Sequence, residues 1–146
     1  MAVSIEDIEV MWEKDCEIDG VRLDIASLDT PKLQNKYLKI NNSLKLRSIH
    51  LDSEYNNLLH IKSLYYSGKL SKEELEEKGW EPYPIRVLRN DLKLYYESDS
   101  DLKQIKLKIE YNNIMIKYLE GILDQLSKRT WMVSNAIKWK IFTAGE

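Results

Sequence analysis

The side chains best suited to chemistry in this sequence are cations spaced along one predicted helix. Lys32, Lys36 and Lys39 recur at steps of four and three, so they share one helix side. Residues 30–72 hold eight bases and two acids, although the whole chain has a formal net charge of -2. Such a row can bind the phosphates of a nucleic-acid strand. The cations that continue this positive helix are Lys45, Arg47, Lys62 and Lys69.

Tyrosines near the predicted end of this basic helix offer rings on which unstacked bases can lie. Tyr65 belongs to the apolar seam of the helix, so packing against the protein is the stronger expectation for its ring. Tyr66 lies off the seam and is the better stacking candidate. The pattern is typical of proteins that bind single strands without sequence preference.

The acidic segments of the chain allow a second interpretation. Residues 1–29 hold nine acids and two bases, and residues 73–101 hold nine acids and four bases. Alternating blocks of this size can pair with basic helices within a subunit or between subunits. The positive helix therefore has two open interpretations, nucleic-acid binding and helix pairing.

Two long helices with a seven-residue apolar pattern are predicted to carry these residues. The first starts at Thr30-Pro31, because threonine suits the N-cap and proline the first helical position, and it runs to about Tyr66. The second covers about 101–142 and has two adjacent apolar rows, enough to pack against two neighbours. The residues of its first row that we expect to form subunit contacts are Ile109, Ile116, Leu119, Leu123, Leu126, Val133 and Ile137.

The fold class that these patterns predict is all-α: an elongated protomer of long heptad-patterned helices that assembles into a helical bundle or ring. Ser4 and Ser71 are expected helix N-caps, and Gly68 and Gly79 are expected helix stops. We expect a single domain over 1–146. Its predicted parts are an acidic N-terminal helix (1–29), the long basic helix (30–72), short helices with a loop (73–100) and a C-terminal oligomerisation helix (101–146).

No residue pattern in the chain indicates catalysis, a cofactor or a metal. The five glycines are scattered singly, so there is no glycine-rich phosphate loop. His50 and His60 are the only histidines, and their spacing without a nearby cysteine does not suit zinc. We expect a non-enzymatic protein that needs no cofactor.

Composition also limits the expected compartment. The sequence has no apolar run of about 18 residues, the minimum for a membrane-spanning helix, and its first residues lack the basic region of a secretory signal. Cys16 is the only cysteine, so it forms no intrachain disulfide, and we expect it to be a half-buried apolar residue. These observations favour a cytoplasmic protein.

Two groups of short motifs stand out in the sequence. The first, Leu64-Tyr65-Tyr66-Ser67-Gly68, closes the basic helix. The second lies in the tail and comprises Gly121-Ile122-Leu123-Asp124, Lys128-Arg129, Ala136-Ile137 and Phe142-Thr143-Ala144-Gly145. In their order and spacing these motifs resemble the UvsY family of recombination, repair and single-stranded-DNA-binding proteins from T-even-type phages. The resemblance extends over nearly the whole chain.

The resemblance implies a recombination mediator in the host cytoplasm during phage infection. Such a protein forms a homo-oligomeric ring, here of roughly six or seven copies. It binds single-stranded DNA and helps load the phage recombinase onto strands covered by the phage single-strand-binding protein. The DNA contacts it implies fall on His60 and Lys62, just before the Tyr-Tyr-Ser-Gly motif. Histidine is mostly neutral at pH 7, so we expect Lys45, Arg47 and Lys69 to contribute more of the DNA binding.

Two other functions remain compatible with the residues alone. One is a structural helical scaffold whose charge blocks serve only self-assembly. The other is a peptide-binding adaptor that uses an exposed apolar row as its groove. Both predict no affinity for DNA.

Overall fold

The computed structural model of the protein describes residues 3–145, and within that range it contains α-helices and one 3₁₀ turn but no strand. The expected all-α class is therefore confirmed. The elements in chain order are α1 (Ile5–Asp15), α2 (Leu23–Tyr66), α3 (Lys72–Lys78), the 3₁₀ turn Arg89–Asp91, α4 (Leu92–Ser98) and α5 (Ser100–Ala144).

These elements form two compact units. The first unit contains the described residues of 1–45 and 114–146, and the second is Leu46–Asn113. Each unit thus takes one part of α2 and one part of α5. The single domain over 1–146 stays a prediction.

A hydrophobic core holds the first unit together. Ile8 of α1, Tyr37 of α2 and Leu119 of α5 are all fully buried in it. The rings of Trp12 and Tyr37 meet edge-on with their centroids 5.7 Å apart, a favourable aromatic geometry. Each buried apolar side chain contributes about 1.5–3 kcal/mol. The remaining buried core residues are Leu44, Met115, Ile122 and Leu126.

Helix α1 begins with the N-cap expected from the sequence. The Ser4 hydroxyl accepts the N–H of Asp7 at 3.1 Å, and the Asp7 carboxylate accepts the N–H of Ser4 at 3.1 Å, so both halves of a capping box are present. The helix ends at Asp15, and Cys16 follows as its C-cap. Cys16 is exposed, so the expected half-burial is wrong. Its thiol lies against the Glu13 carbonyl instead of the core.

Helix α2 begins earlier than the sequence predicts. Its first residue is Leu23, which is buried, and Pro31 lies inside the helix. The predicted start at Thr30-Pro31 is wrong because Thr30 does not cap: its hydroxyl donates back to the Ala26 carbonyl at 2.8 Å. An internal proline lacks the N–H for one helical bond and costs roughly 3 kcal/mol. Burial of the Leu23 side chain, worth about 1.5–3 kcal/mol, opposes that cost.

In the second unit, the predicted stops and caps are present. Gly68 follows α2 with φ 73°, and Gly79 ends α3 with φ 70°, the left-handed conformation that glycine adopts easily. The Ser71 hydroxyl accepts the N–H of Glu74 at 3.2 Å and so caps α3. The apolar seam of α2 packs inward here as well, since Leu51 is buried.

Candidate nucleic-acid interface

Lys62, which the family resemblance implies as a DNA contact, is buried in the second unit. It lies in the last turns of α2, and the residue is only 5% exposed. Its ammonium lies 3.0 Å from an Asp99 carboxylate oxygen and 2.8 Å from one of Asp101. It also lies over the Trp80 ring, 4.2 Å from the centroid, a cation–π contact. The expectation that this cation points outward is therefore wrong.

Asp99 joins the end of α2 to the start of α5. Its carboxylate accepts the Tyr66 hydroxyl at 2.5 Å, the Lys62 ammonium at 3.0 Å and the N–H of Leu102 at 3.0 Å. The last of these is an N-cap bond for α5. We call Asp99 with these three donors the carboxylate clamp.

The protonation of the clamp follows from its contacts. Burial alone would raise the pKa of Asp99, but the hydrogen bonds from Tyr66, Leu102 and Lys62 outweigh burial and hold it below 3.8. Burial alone would lower the pKa of Lys62, but the bonds to Asp101 and Asp99 raise it above 10.5. Burial, together with the bond to Asp99, raises the pKa of Tyr66. At neutral pH the Asp99 carboxylate and the Lys62 ammonium are therefore an ion pair, and the carboxylate also accepts a hydrogen bond from the protonated Tyr66 hydroxyl.

Tyr66 is the second predicted DNA contact that the structure places inside the unit. Only 8% of it is exposed, so the prediction of an accessible stacking ring is wrong. The reason is an aromatic cluster around the end of α2, in which the Tyr66 and Tyr83 rings meet at 4.9 Å. The expectation that Tyr65 packs against the protein holds, since its hydroxyl donates to the Glu81 carbonyl at 2.7 Å. The other rings of this cluster are Trp80, Tyr95 and Tyr96.

The remaining predicted DNA contacts are more accessible. Lys45 is exposed in the first unit. In the second unit, His60 and Lys69 are exposed and Arg47 is half-buried. None of these four takes part in an ion pair recorded among residues 3–145. Their contact with DNA stays a prediction.

Within the first unit, intramolecular ion pairs partly neutralise the row of lysines that begins α2. The Lys36 ammonium lies 2.6 Å from an Asp15 carboxylate oxygen, and Lys32 lies 3.9 Å from Asp29. Asp15 also accepts the Tyr37 hydroxyl at 2.7 Å. Burial alone would raise the pKa of Asp15, but the bonds from Lys36 and Tyr37 lower it. The pairing of basic with acidic segments is thus realised here.

Sequence reasoning missed two arginines of the second unit. Arg86 and Arg89 line a groove of about 590 Å³ together with Lys69, and both are exposed. The signal was present in 82–90, a stretch that contains both arginines and no acid. The net negative charge of the surrounding block hid it. We call the surface formed by Lys69, Arg86 and Arg89 the basic groove.

The predicted subunit contacts of α5 are mostly used inside the protomer. Leu119, Leu126 and Val133 are buried, and Ile137 is 41% exposed. The remaining three, Ile109, Ile116 and Leu123, are half-buried. The second apolar row of α5 is the more exposed one, with Leu107, Ile114, Met132 and Trp139. Their role in assembly stays a prediction.

The described part of the chain contains neither a metal-binding cluster nor a membrane-spanning helix. Among residues 3–145, no group of three or more His, Cys, Asp or Glu side chains is placed to hold a metal ion. Within the same range, no helix combines the length and apolarity needed to cross a membrane.

Comparison with known proteins identifies relatives that match nearly the whole chain. Residues 11–146 match the family described as "Recombination, repair and ssDNA binding protein UvsY". The recombination protein uvsY of Enterobacteria phage T4 is 22% identical over 142 residues, which cover 97% of this chain and 98% of that protein.

Solved structures agree in fold. A crystal structure of the bacteriophage T4 recombination mediator protein UvsY, lattice type IV, superposes with a TM-score of 0.85 at 21% identity, over 96% of this chain and 99% of that chain. The lattice type II crystal structure of the same protein also superposes with a TM-score of 0.85 at 21% identity, over 98% of this chain and 99% of that chain. The chain therefore belongs to the UvsY family of recombination, repair and single-stranded-DNA-binding proteins.

Proposed function

We propose that this protein is a non-enzymatic recombination mediator that binds single-stranded DNA as a homo-oligomer. In this role it helps load the phage recombinase onto DNA covered by the phage single-strand-binding protein. The observation that carries the proposal is the family match over residues 11–146. The description of that family includes single-stranded-DNA binding, and the T4 relative bears the name of a recombination mediator.

Exposed cations of the second unit support the DNA-binding part of the proposal. His60 and Lys69 are exposed and Arg47 is half-buried, so phosphates can reach them. Lys45 of the first unit is exposed too. Lys62 and Tyr66 take a different role in this proposal, because their burial in the carboxylate clamp supports a positioning function. They fix the end of α2, and accessible cations make the contacts.

Exposed apolar side chains near the end of α5 support self-assembly. Trp131, Trp139, Ile141 and Phe142 are each more than half exposed. Apolar surface of this kind marks protein–protein contacts. A homo-oligomer places many weak sites on one strand, and the resulting avidity exceeds the affinity of one protomer. Simultaneous binding along a strand would favour displacement of a single-strand-binding protein.

A titration of labelled oligonucleotide, followed by fluorescence anisotropy, tests the proposal. Single-stranded DNA should bind far more tightly than duplex DNA of equal length, and the logarithm of affinity should fall linearly with the logarithm of salt concentration. Sedimentation velocity on the same sample should give a mass several times that of the protomer. Absence of binding at low salt would reject DNA binding and favour the helical scaffold or the peptide-binding adaptor.

A further inference from the structure

The basic groove of the second unit has the chemistry of a phosphate-binding surface. Its cations are Lys69, just after α2, and Arg86 and Arg89, which lie in the segment that leads to α4. We propose that this groove binds the phosphodiester backbone of single-stranded DNA, with Lys69 and Arg89 as direct contacts. The inference rests on the proposed function and names the surface that performs it.

Backbone hydrogen bonds order the main chain that carries Lys69. The N–H of Gly68 donates to the Tyr65 carbonyl at 3.2 Å, and that of Lys69 donates to the Leu64 carbonyl at 2.8 Å. This pair of bonds is a Schellman motif, which sets the direction in which the chain leaves α2. Lys69 is therefore held by ordered backbone.

The opposite wall is tied to the same helix end. The N–H of Val87 donates to the Tyr66 carbonyl at 3.0 Å, and the Arg86 Nε donates to the Ser67 carbonyl at 3.2 Å. Arg89 begins the 3₁₀ turn, two residues after Val87. The arginines thus lie beside Lys69 because the segment docks on the carboxyl end of α2. An ordered backbone leaves only side-chain freedom to be lost when these cations bind a strand.

The charge of the groove favours an anion. No acidic residue lines it, and none of the ion pairs recorded among residues 3–145 includes its three cations. The carbonyl end of α2 contributes only about half a negative charge. Lys62, in contrast, already has two carboxylates within 3.0 Å. An incoming phosphate therefore meets an available positive site at the groove, but must displace existing partners at Lys62.

A second groove of the same unit supplies a comparison. It is lined by Lys93, Lys103 and Lys106 together with Glu97, so one carboxylate offsets part of its charge. The basic groove also contains two guanidinium groups, whose planar donors match phosphate oxygens better than an ammonium does. Both features favour the basic groove for phosphate.

The double substitution Lys69→Ala/Arg89→Ala tests the proposal without removing a recorded side-chain hydrogen bond. Lys69 uses only its backbone N–H in the Schellman motif, and Arg86 keeps its bond to Ser67. Single-stranded DNA affinity should fall at least about tenfold. The plot of the logarithm of affinity against the logarithm of salt concentration should also become less steep. Its slope should change by about 0.7 for each phosphate that the variant no longer neutralises.

The matched control is Lys103→Ala/Lys106→Ala, which removes the same charge from the comparison groove. It should change affinity much less. Equal loss in both double variants would show a general charge effect and overturn the proposal. Unchanged affinity in Lys69→Ala/Arg89→Ala would overturn it too. If the unsubstituted protein does not bind DNA at all, the proposed function itself fails.

Photo-cross-linking provides a second test that does not depend on affinity. Leu88 lines the basic groove and Leu107 lies on α5, and both are 69% exposed. With p-benzoylphenylalanine in place of Leu88, the protein should cross-link to a single-stranded oligonucleotide. The same group in place of Leu107 should give much less product. Equal yields at the two positions would show that the strand does not prefer the basic groove. That result would refute the proposal.

Discussion

Replacement of Lys62 by methionine separates a structural role of this residue from a DNA-binding role. Methionine keeps the apolar stem beside Trp80 but removes the charge that pairs with Asp99 and Asp101. If the carboxylate clamp holds the second unit together, Lys62→Met should lower the free energy of unfolding. If Lys62 mainly contacts phosphate, stability should be unchanged.

The expected loss of stability is about 3 kcal/mol. Removing one partner of a buried ion pair costs about 3–5 kcal/mol. The pair with Asp101 adds less than about 1 kcal/mol, because that carboxylate is 48% exposed. Asp99 retains the Tyr66 hydroxyl and the Leu102 N–H as donors, so its charge does not stay unsatisfied. Because these two donors remain, the expected loss of unfolding free energy lies at the low end of the range for a broken buried ion pair.

Urea unfolding followed by circular dichroism at neutral pH measures this change. Both proteins must be compared at one concentration, since assembly also stabilises the folded chain. A thermal scan should show a decrease of about 6–12 °C in Tm. Lys45→Met is the matched control, because Lys45 is an exposed lysine of the same helix, and it should change stability by less than about 0.5 kcal/mol.

One result would refute the reasoning. A Lys62→Met protein that is as stable as the Lys45→Met control, yet binds single-stranded DNA more weakly than the unsubstituted protein, would make Lys62 a DNA contact. The ion pairs would then have little energetic importance. A loss of stability with DNA affinity retained in the folded state is the expected outcome.

Two further predictions concern the clamp and the long C-terminal helix. The pKa of Asp99 is lowered in the folded state, so the stability it contributes is present above pH 3.8 and is lost as pH falls below that value. The stability difference between the unsubstituted protein and Asp99→Asn in urea unfolding should therefore stay constant from about pH 5 to 9 and shrink below about pH 4. Leu119→Ala should destabilise the protomer by about 2–5 kcal/mol, since Leu119 is fully buried. Ile137→Ala should instead weaken self-association in sedimentation velocity and leave protomer stability nearly unchanged; the opposite pattern would contradict the burial of these two residues.

Local signals in the sequence were sufficient for much of the fold. Ser4, Ser71, Gly68 and Gly79 act within a few residues of themselves, so their caps and stops could be read directly from the chain. The spacing of apolar residues likewise predicted the inward face of α2. The start of α2 was mispredicted because Thr30-Pro31 has the local pattern of a helix start, whereas burial of Leu23 depends on tertiary contacts.

The candidate site was harder to predict because charge pairing over long sequence distances decides which cations are available. Lys62 and Asp101 are 39 residues apart in sequence, yet they form an ion pair at 2.8 Å. A basic helix read alone gives no indication that one lysine is buried and its neighbours are accessible. The burial of Tyr66 also depends on residues distant in sequence, since the rings that cover it come from the segment after Gly79.

The carboxylate clamp also affects how the chain can vary in length. Tyr66 ends α2, and Asp99 caps α5, so one carboxylate closes a loop that begins and ends at nearly the same point. Closing a loop of twice the length costs only about 0.6 kcal/mol more. That small cost applies to flexible links. Trp80, Tyr83 and Val87 contact the end of α2, so residues can be added with little effect only at exposed positions between such contacts. Length differences among related chains should concentrate at those positions, while the two ends of the loop stay in place.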